Sequence, residues 1–388
     1  MQHERANCEK MKNLLGDKSN TALFLLFFIS LITIYNAYYP RYSVTLERVF
    51  KLTTKVTYEN RDPNKVWLLR DDEVTIGLFM NNSWQKAYLV GTSHPIKRFY
   101  NDSDGNPVIL LDIGDMRVPP WGKVSYNVTY RLIYREREPP AILEDLSGDL
   151  DDIPRELREE YCKPTSLWHF NGTALAPLAK EIAGDERRVL TILRRFIEWI
   201  ISNIQYATSE VPRYPNETIS QRLGDCDDQA NLLITLCRAV GIPAFLQVGC
   251  IYIPELNESL LYWSGHLFIR EVRVGWHGWA IVYVPPWGWL PVDLTYVSAD
   301  LIYNPLSAIT HSAIIEHYTF QYSNITVTDY ISELMSIKKF IEGNMFYIYE
   351  EDLMEFRLEE KVMYQRLPLI KPIYLAVLIP KLVFRHGA

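Results

Sequence analysis

The chain lacks internal repeats and low-complexity tracts, which excludes solenoid and fibrous architectures. It has no excess of positive charge. Lys and Arg total 40 against 47 Asp and Glu, the net charge is −7 and the pI is near 5.7, so nothing points to a nucleic-acid partner. Cysteine is sparse, with five in 388 residues, and the Cys and His spacing fits no zinc pattern. No metal or organic cofactor is expected. The segment Asp102-Ser103-Asp104-Gly105-Asn106-Pro107 looks superficially like a calcium loop. Its glycine is misplaced, however, and Ile113 stands where a bidentate glutamate belongs, so it reads as a hairpin turn.

What is abundant is apolar and aromatic. Hydrophobic residues make up 48%, ample for a core, and the length predicts two or three domains. With 25 Tyr and 10 Trp the composition favours β-rich structure with aromatic-lined surfaces.

The N-terminus bears on compartment. Lys10, Lys12 and Lys18 precede an uncharged segment from Thr21 to Tyr39. At ~1.5 Å per residue this segment just spans a hydrocarbon core of about 30 Å, with Tyr35, Tyr38 and Tyr39 at an interface. Tyr35 makes a poor signal-peptide cleavage site before Ala37, so an uncleaved anchor is expected. Seven N-x-[ST] sequons, at Asn81, Asn101, Asn127, Asn171, Asn216, Asn257 and Asn324, all follow that segment. We therefore expect a single-pass protein of the cell membrane, with residues 40–388 outside and N-glycosylated. Cys8 then lies inside. If Cys226 is catalytic, at most one disulfide forms among Cys162, Cys237 and Cys250, with the pair left open.

The expected organisation is a cytoplasmic tail (1–20), a transmembrane anchor (21–39), a β-sandwich domain (40–135), an acidic linker (136–160), an α+β core (161–300) and a C-terminal α/β extension (301–388). Period-2 segments such as Leu52–Tyr58 and Val124–Leu132 support the sandwich. Helical periodicity predicts helices over 174–183 and 185–204, then a helix from Cys226 stopped by Gly241-Ile242-Pro243. Strands over 315–328 and 345–357 flank a helix over 330–342. The apolar stretch 367–384 is interrupted by Lys371, Pro372, Pro380 and Lys381, so it lies on a membrane or packs on the core rather than spanning.

Three segments carry the chemistry. Gly224-Asp225-Cys226-Asp227-Asp228-Gln229 leads into a run in which Cys226, Ala230, Leu233, Cys237 and Val240 share one helix face. Cys226 thus sits in a first turn, where free N–H groups and the dipole favour a thiolate. Downstream come Trp276-His277-Gly278-Trp279 and Gly288-Trp289-Leu290-Pro291-Val292-Asp293. Thiol, imidazole and carboxylate, in that order, are the parts a thiol nucleophile needs. Asp225, Asp227 and Asp228 oppose a thiolate, and a protonated His277 has to outweigh them. The bland alternatives are a buried structural cysteine, a hydrogen-bonded core histidine, and an Asp293 that caps a turn. His266 reads as structural.

In this order and local wording, the region from about Tyr161 to Thr295 resembles the transglutaminase-like superfamily, whose core is papain-like with a Cys-His-Asp triad. The resemblance implies Cys226 as nucleophile, His277 as base and Asp293 as orienting acid. Ile281 stands where family strands often carry a glutamate. The Cys226 backbone N–H is the natural oxyanion donor, and Gln205 and Trp199 are candidates for a second. Trp276, Trp279, Trp287 and Trp289 are candidate cleft residues.

The expected function is a membrane-anchored extracellular thiol hydrolase or protease acting on amide bonds of a protein or peptide substrate. The alternatives are a non-catalytic surface-binding module on the same fold and a protein-crosslinking amine transferase.

Overall fold

The computed structural model describes residues 41–297 and 301–365. The tail and anchor expected over 1–39, Cys8 and the apolar stretch 367–384 lie outside the described residues. Among the described residues no helix is long and apolar enough to cross a membrane. Residues 48–357 form one compact unit, and residues 41–47 and 358–365 belong to a second.

Among the described residues, eight strands precede the helical region: β1 (Arg41–Asn60), β2 (Trp67–Leu68), β3 (Thr75–Gly77), β4 (Gln85–Thr92), β5 (Ile96–Asn101), β6 (Pro107–Leu111), β7 (Arg117–Val118) and β8 (Lys123–Tyr134). Helices α1 (Arg155–Tyr161), α2 (Leu175–Ala183) and α3 (Val189–Asn203) follow. Next come β9 (Gln205–Tyr206), α4 (Pro215–Gln221), β10 (Leu223–Gly224) and α5 (Cys226–Ala239). The long hairpin β11 (Ala244–Tyr262) and β12 (Leu267–Val284) leads to β13 (Gly288–Val292). The chain then forms α6 (Ser307–Thr310), α7 (Ala313–Glu316), β14 (Thr319–Ile325), α8 (Tyr330–Glu342) and β15 (Phe346–Gln365). The fold is α+β with a sheet-rich core.

The main sheet has the order β14-β11-β12-β15-β1-β8-β4, with β13 also paired to β12. The pairs β1–β8, β4–β8, β11–β12, β11–β14 and β12–β13 are antiparallel, and β12 and β15 run parallel with Leu267 opposite Ile348. This corrects the expected organisation. Strands from 48–135 share a sheet and an apolar core with strands from the later segments, so 135 is not a boundary between compact units. Phe50, Leu52 and Leu132 pack in the same core as Cys250, Val274, Phe320 and Met354. The expected C-terminal extension is likewise built in, with β14 on the edge of the sheet and β15 between β12 and β1. The acidic segment 136–160 is partly anchored. Arg137 is buried and donates to Ile314 O at 3.0 Å, and Ile153 joins the helical core. The segment 102–107 is the turn of the β5–β6 hairpin, in which Asp102 Oδ1 accepts from the N–H groups of Asp104 and Asn106.

Helices α2, α3 and α5 cover one side of β11 and β12. Helix α3 places Val189, Leu190, Leu193, Phe196, Ile197 and Ile200 in that core at helical spacing. Helix α5 was expected to bury one face. It is buried from Asp228 to Arg238, because β11 and β12 flank it along with α2, α3 and α4. Polar residues on such a helix need partners. Arg238 Nε donates to Ala244 O at 2.8 Å and its guanidinium lies 3.9 Å from the Trp168 ring centroid. Burial, the main effect on it, lowers the Arg238 pKa to about 10. The helix ends as the sequence predicts: Gly241 takes φ +85°, and the Ile242 N–H bonds Cys237 O at 2.9 Å.

Candidate active site

Cys226 is the first residue of α5, entered from the short parallel pair β9–β10. Its backbone N–H belongs to the first turn, where helical N–H groups have no acceptor within the helix. Strand β12 runs alongside, and Gly278 makes the approach possible: a Cβ there would stand 3.1 Å from Asp227 Cβ. The first turn of α5 therefore lies directly against the residue after His277.

The structure brings the three expected side chains together. His277 Nε2 lies 2.9 Å from Asp293 Oδ2, and Cys226 is close enough to act on the charge of the same imidazole. With Nε2 taken by the carboxylate, Nδ1 is left for the sulfur. His277 and Asp293 are 7% and 2% exposed, whereas Cys226 is only half-buried and can meet a substrate. Asp293 is fixed at the end of the β12–β13 hairpin. Its Oδ1 accepts from the N–H groups of Thr295 (3.1 Å) and Tyr296 (3.0 Å), and Oδ2 from that of Ala313 (3.2 Å). Burial alone would lower the His277 pKa. The Asp293 carboxylate, by charge and hydrogen bond, and then Cys226 hold it up at about 10, so the ring is an imidazolium at neutral pH.

The acidic residues around Cys226 are each compensated. Asp228 is fully buried and takes the Arg213 backbone N–H at 2.6 Å and its Nη1 at 2.7 Å. Asp227 Oδ2 accepts from Tyr330 Oη at 2.7 Å. Burial, then hydrogen bonding and repulsion from Asp227, push Asp225 up to about 9, so it keeps its proton. The sulfur thus faces less negative charge than three aspartates in four residues suggest. Asp225, Cys226 and Asp227 offer ligand atoms within 4.8 Å of one another. Of these, Asp227 Oδ2 is engaged by Tyr330, and Asp225 Oδ1 is buried without a hydrogen-bond partner among the described residues.

The Tyr330 arm of that chain escaped the sequence reading. Asn231 Nδ2 donates to Tyr330 Oη at 2.8 Å, and Trp168 Nε1 donates to Asn231 Oδ1 at 3.0 Å. Helix α8 therefore props the residue next to the thiol. No local motif announces a tyrosine a hundred residues away. Tyr206 was also missed. It is exposed, and its pKa is raised to about 12 by desolvation and then by Cys226, Asp225 and Asp227, which puts its hydroxyl within electrostatic reach of the sulfur. Gln205 and Trp199 make no hydrogen bond to Cys226 among the described residues.

The four tryptophans do not form one cleft. Trp276 donates from Nε1 to Asp352 Oδ2 at 2.7 Å, in the core opposite the helices. Trp279 is 1% exposed and bonds Gln247 Oε1 at 3.1 Å. Trp287 and Trp289 line a separate hollow of about 500 Å³. Pleating sends Trp276 and His277 to opposite faces, and the hairpin turn carries Trp287 and Trp289 away. Ile281, in the glutamate's place, is buried beside Trp279 and Ile314. His266 stacks on Tyr347 and its Nδ1 lies 2.7 Å from Phe346 O, away from the triad. Cys162, Cys237 and Cys250 are free thiols, and Cys237 lies in the helical core.

Residues 176–294 match the transglutaminase-like superfamily, so this part of the chain is a transglutaminase-like core and the resemblance read from the sequence holds over it. The chain is also similar to a candidate cysteine protease from Cytophaga hutchinsonii, at 16% identity and a TM-score of 0.44, covering 84% of this chain and 94% of that one. LapG of Legionella pneumophila is similar at 17% identity and a TM-score of 0.27, over 50% of this chain and 93% of its own. A candidate protease from Parabacteroides distasonis is similar at 10% identity and a TM-score of 0.24, over 59% of this chain and 60% of that one. Among curated proteins, no sequence relative of the chain is found.

Proposed function

We propose that the chain is a thiol hydrolase or protease that cleaves amide bonds through Cys226, His277 and Asp293. The observation that carries this is a buried imidazole bonded to a carboxylate, beside a half-buried cysteine at a helix start. In this reading the sulfur anion attacks the amide carbonyl carbon and a C–S bond forms. The Cys226 backbone N–H receives the developing oxyanion. His277 gives its Nδ1 proton to the departing nitrogen, the C–N bond breaks, and a thioester remains. Water, deprotonated by the now neutral imidazole, then releases the acid and restores the thiol pair. His277 keeps its Nε2 proton throughout, donating it in a hydrogen bond to Asp293. Transfer to an amine competes only where an amine displaces water.

We further propose that the catalytic part faces the outside of a cell membrane, tethered through 21–39. The uncharged segment and the sequons support this, and six of the seven sequon asparagines, all but Asn324, are exposed. Loss of mass on endoglycosidase treatment of the protein from its native cells tests the location.

Iodoacetamide labelling of Cys226 between pH 5 and 9 tests the chemistry, beside peptide-library turnover by wild type and Cys226→Ala. Labelling below pH 7, with cut peptides lost in Cys226→Ala, is the expected result. Labelling only at alkaline pH with no turnover would instead favour a binding module. Ammonia release with amine incorporation would indicate a transferase.

A further inference from the structure

A second polar site lies in the other core. A cavity of about 590 Å³ is walled by Tyr58, Tyr126, Tyr130, Trp263, Trp276 and Tyr322. Three of these hydroxyls are tied to main-chain carbonyls: Tyr58 donates to Glu73 O, Tyr126 to the same oxygen, and Tyr130 to Gly77 O. Their ring carbons are left to form wall. Asp72, Glu73, Glu271 and Glu350 also line the hollow, and among the described residues no lysine, arginine or histidine does.

Glu350 on β15 is the decisive group. It is half-buried, lines the cavity, and its carboxyl makes no hydrogen bond or ion pair with any described residue. Asp352, two residues on, is by contrast satisfied by Thr54 Oγ1 and Trp276 Nε1. A partly desolvated carboxyl without a partner favours whatever neutralises it. Burial, then Asp352 and Glu271, raise its pKa to about 8. Glu271 rises to about 7, burial again leading.

We propose that this cavity binds a small organic ammonium ion, with the aromatic rings around its alkyl groups and Glu350 and Glu271 facing its charge. Aromatic faces attract a diffuse cation most strongly where water is excluded. A metal ion fits poorly, because Glu271, Glu350 and Asp352 do not converge into a group that could share one ion. The site is distinct from the thiol and does not depend on catalysis.

Calorimetric titration of the full wild-type chain with choline, and with 3,3-dimethyl-1-butanol as its neutral analogue, tests the proposal. Choline is expected to saturate one site per chain and to perturb the fluorescence of Trp263 and Trp276. The neutral alcohol should bind at least about tenfold more weakly. Glu350→Gln, which keeps the shape, should weaken choline by about tenfold, and Ile269→Trp, which fills the hollow, should abolish binding. Choline affinity should also rise from pH 6 to 9. Over that range a bound cation draws protons from Glu350 and Glu271, within reach of Asp352 and facing Asp72, Glu73 and the four tyrosines. No saturable choline binding to the wild-type chain, or equal binding of the two probes, overturns the proposal without any variant having to fold.

Discussion

His277 and Asp293, sixteen positions apart, meet through a 2.9 Å contact from Nε2 to Oδ2 in a nearly water-free setting. Asp293→Asn keeps the size of the side chain but removes the charge that holds the imidazolium. We expect turnover to fall by about 10³–10⁴-fold. The onset of Cys226 alkylation should move to higher pH, read by mass spectrometry across a pH series.

The same pair makes stability depend on pH. The His277 pKa is raised in the fold, to about 10, so its stabilisation is complete below the unfolded value near 6.5. It is lost as pH climbs through about 10. Urea unfolding at pH 6, 8 and 10 should show wild type losing its advantage over His277→Gln across that window. A constant difference would contradict it.

Asp225 behaves in the opposite way to an ordinary surface carboxylate. Its folded pKa is raised to about 9, so folding is favoured at acid pH and disfavoured progressively above the unfolded value. Asp225→Asn, which mimics the protonated acid, should stabilise the protein by roughly 1 kcal/mol or more at pH 7–8. The gain should vanish near pH 3, as thermal melts at the two pH values would record.

Arg213 is the cation for a fully buried carboxylate. Arg213→Met strands Asp228 and should destabilise the fold by about 3–5 kcal/mol. Adding Asp228→Asn should restore part of that loss, which denaturant midpoints of the single and double variants would measure.

Gly278 sets the spacing between nucleophile and base. Gly278→Ala brings a methyl to 3.1 Å from Asp227 Cβ. A shift of that first turn by a fraction of an ångström should lower kcat by roughly ten- to a hundredfold. Far-UV circular dichroism should change little.

Local signals were read well from the chain. The helix over 330–342 lies where its periodicity places it, and the break at Gly241 follows from a left-handed residue before proline. The hairpin at Asp102–Pro107 and the helix opening at Cys226 are also short-range features, carried by turn chemistry and spacing. The domain limits at 135 and 300 were not legible. They hinge on β15 inserting between β12 and β1, and strand pairing across such separations leaves no local pattern. The tryptophans misled for a related reason, since proximity in a strand says nothing of which face each ring occupies.

The amino-acid sequence by itself determined which atoms are available: a thiol at a helix start, an imidazole on a strand, and a carboxylate closing a hairpin. Tertiary structure decided what surrounds them. Only packing could bury His277 beside Asp293, neutralise Asp228 with Arg213 and turn Asp227 toward Tyr330. Only packing could leave Glu350 alone in an aromatic hollow. Burial removes water, and without water the charges on either side of a group, rather than its own chemistry, set its protonation.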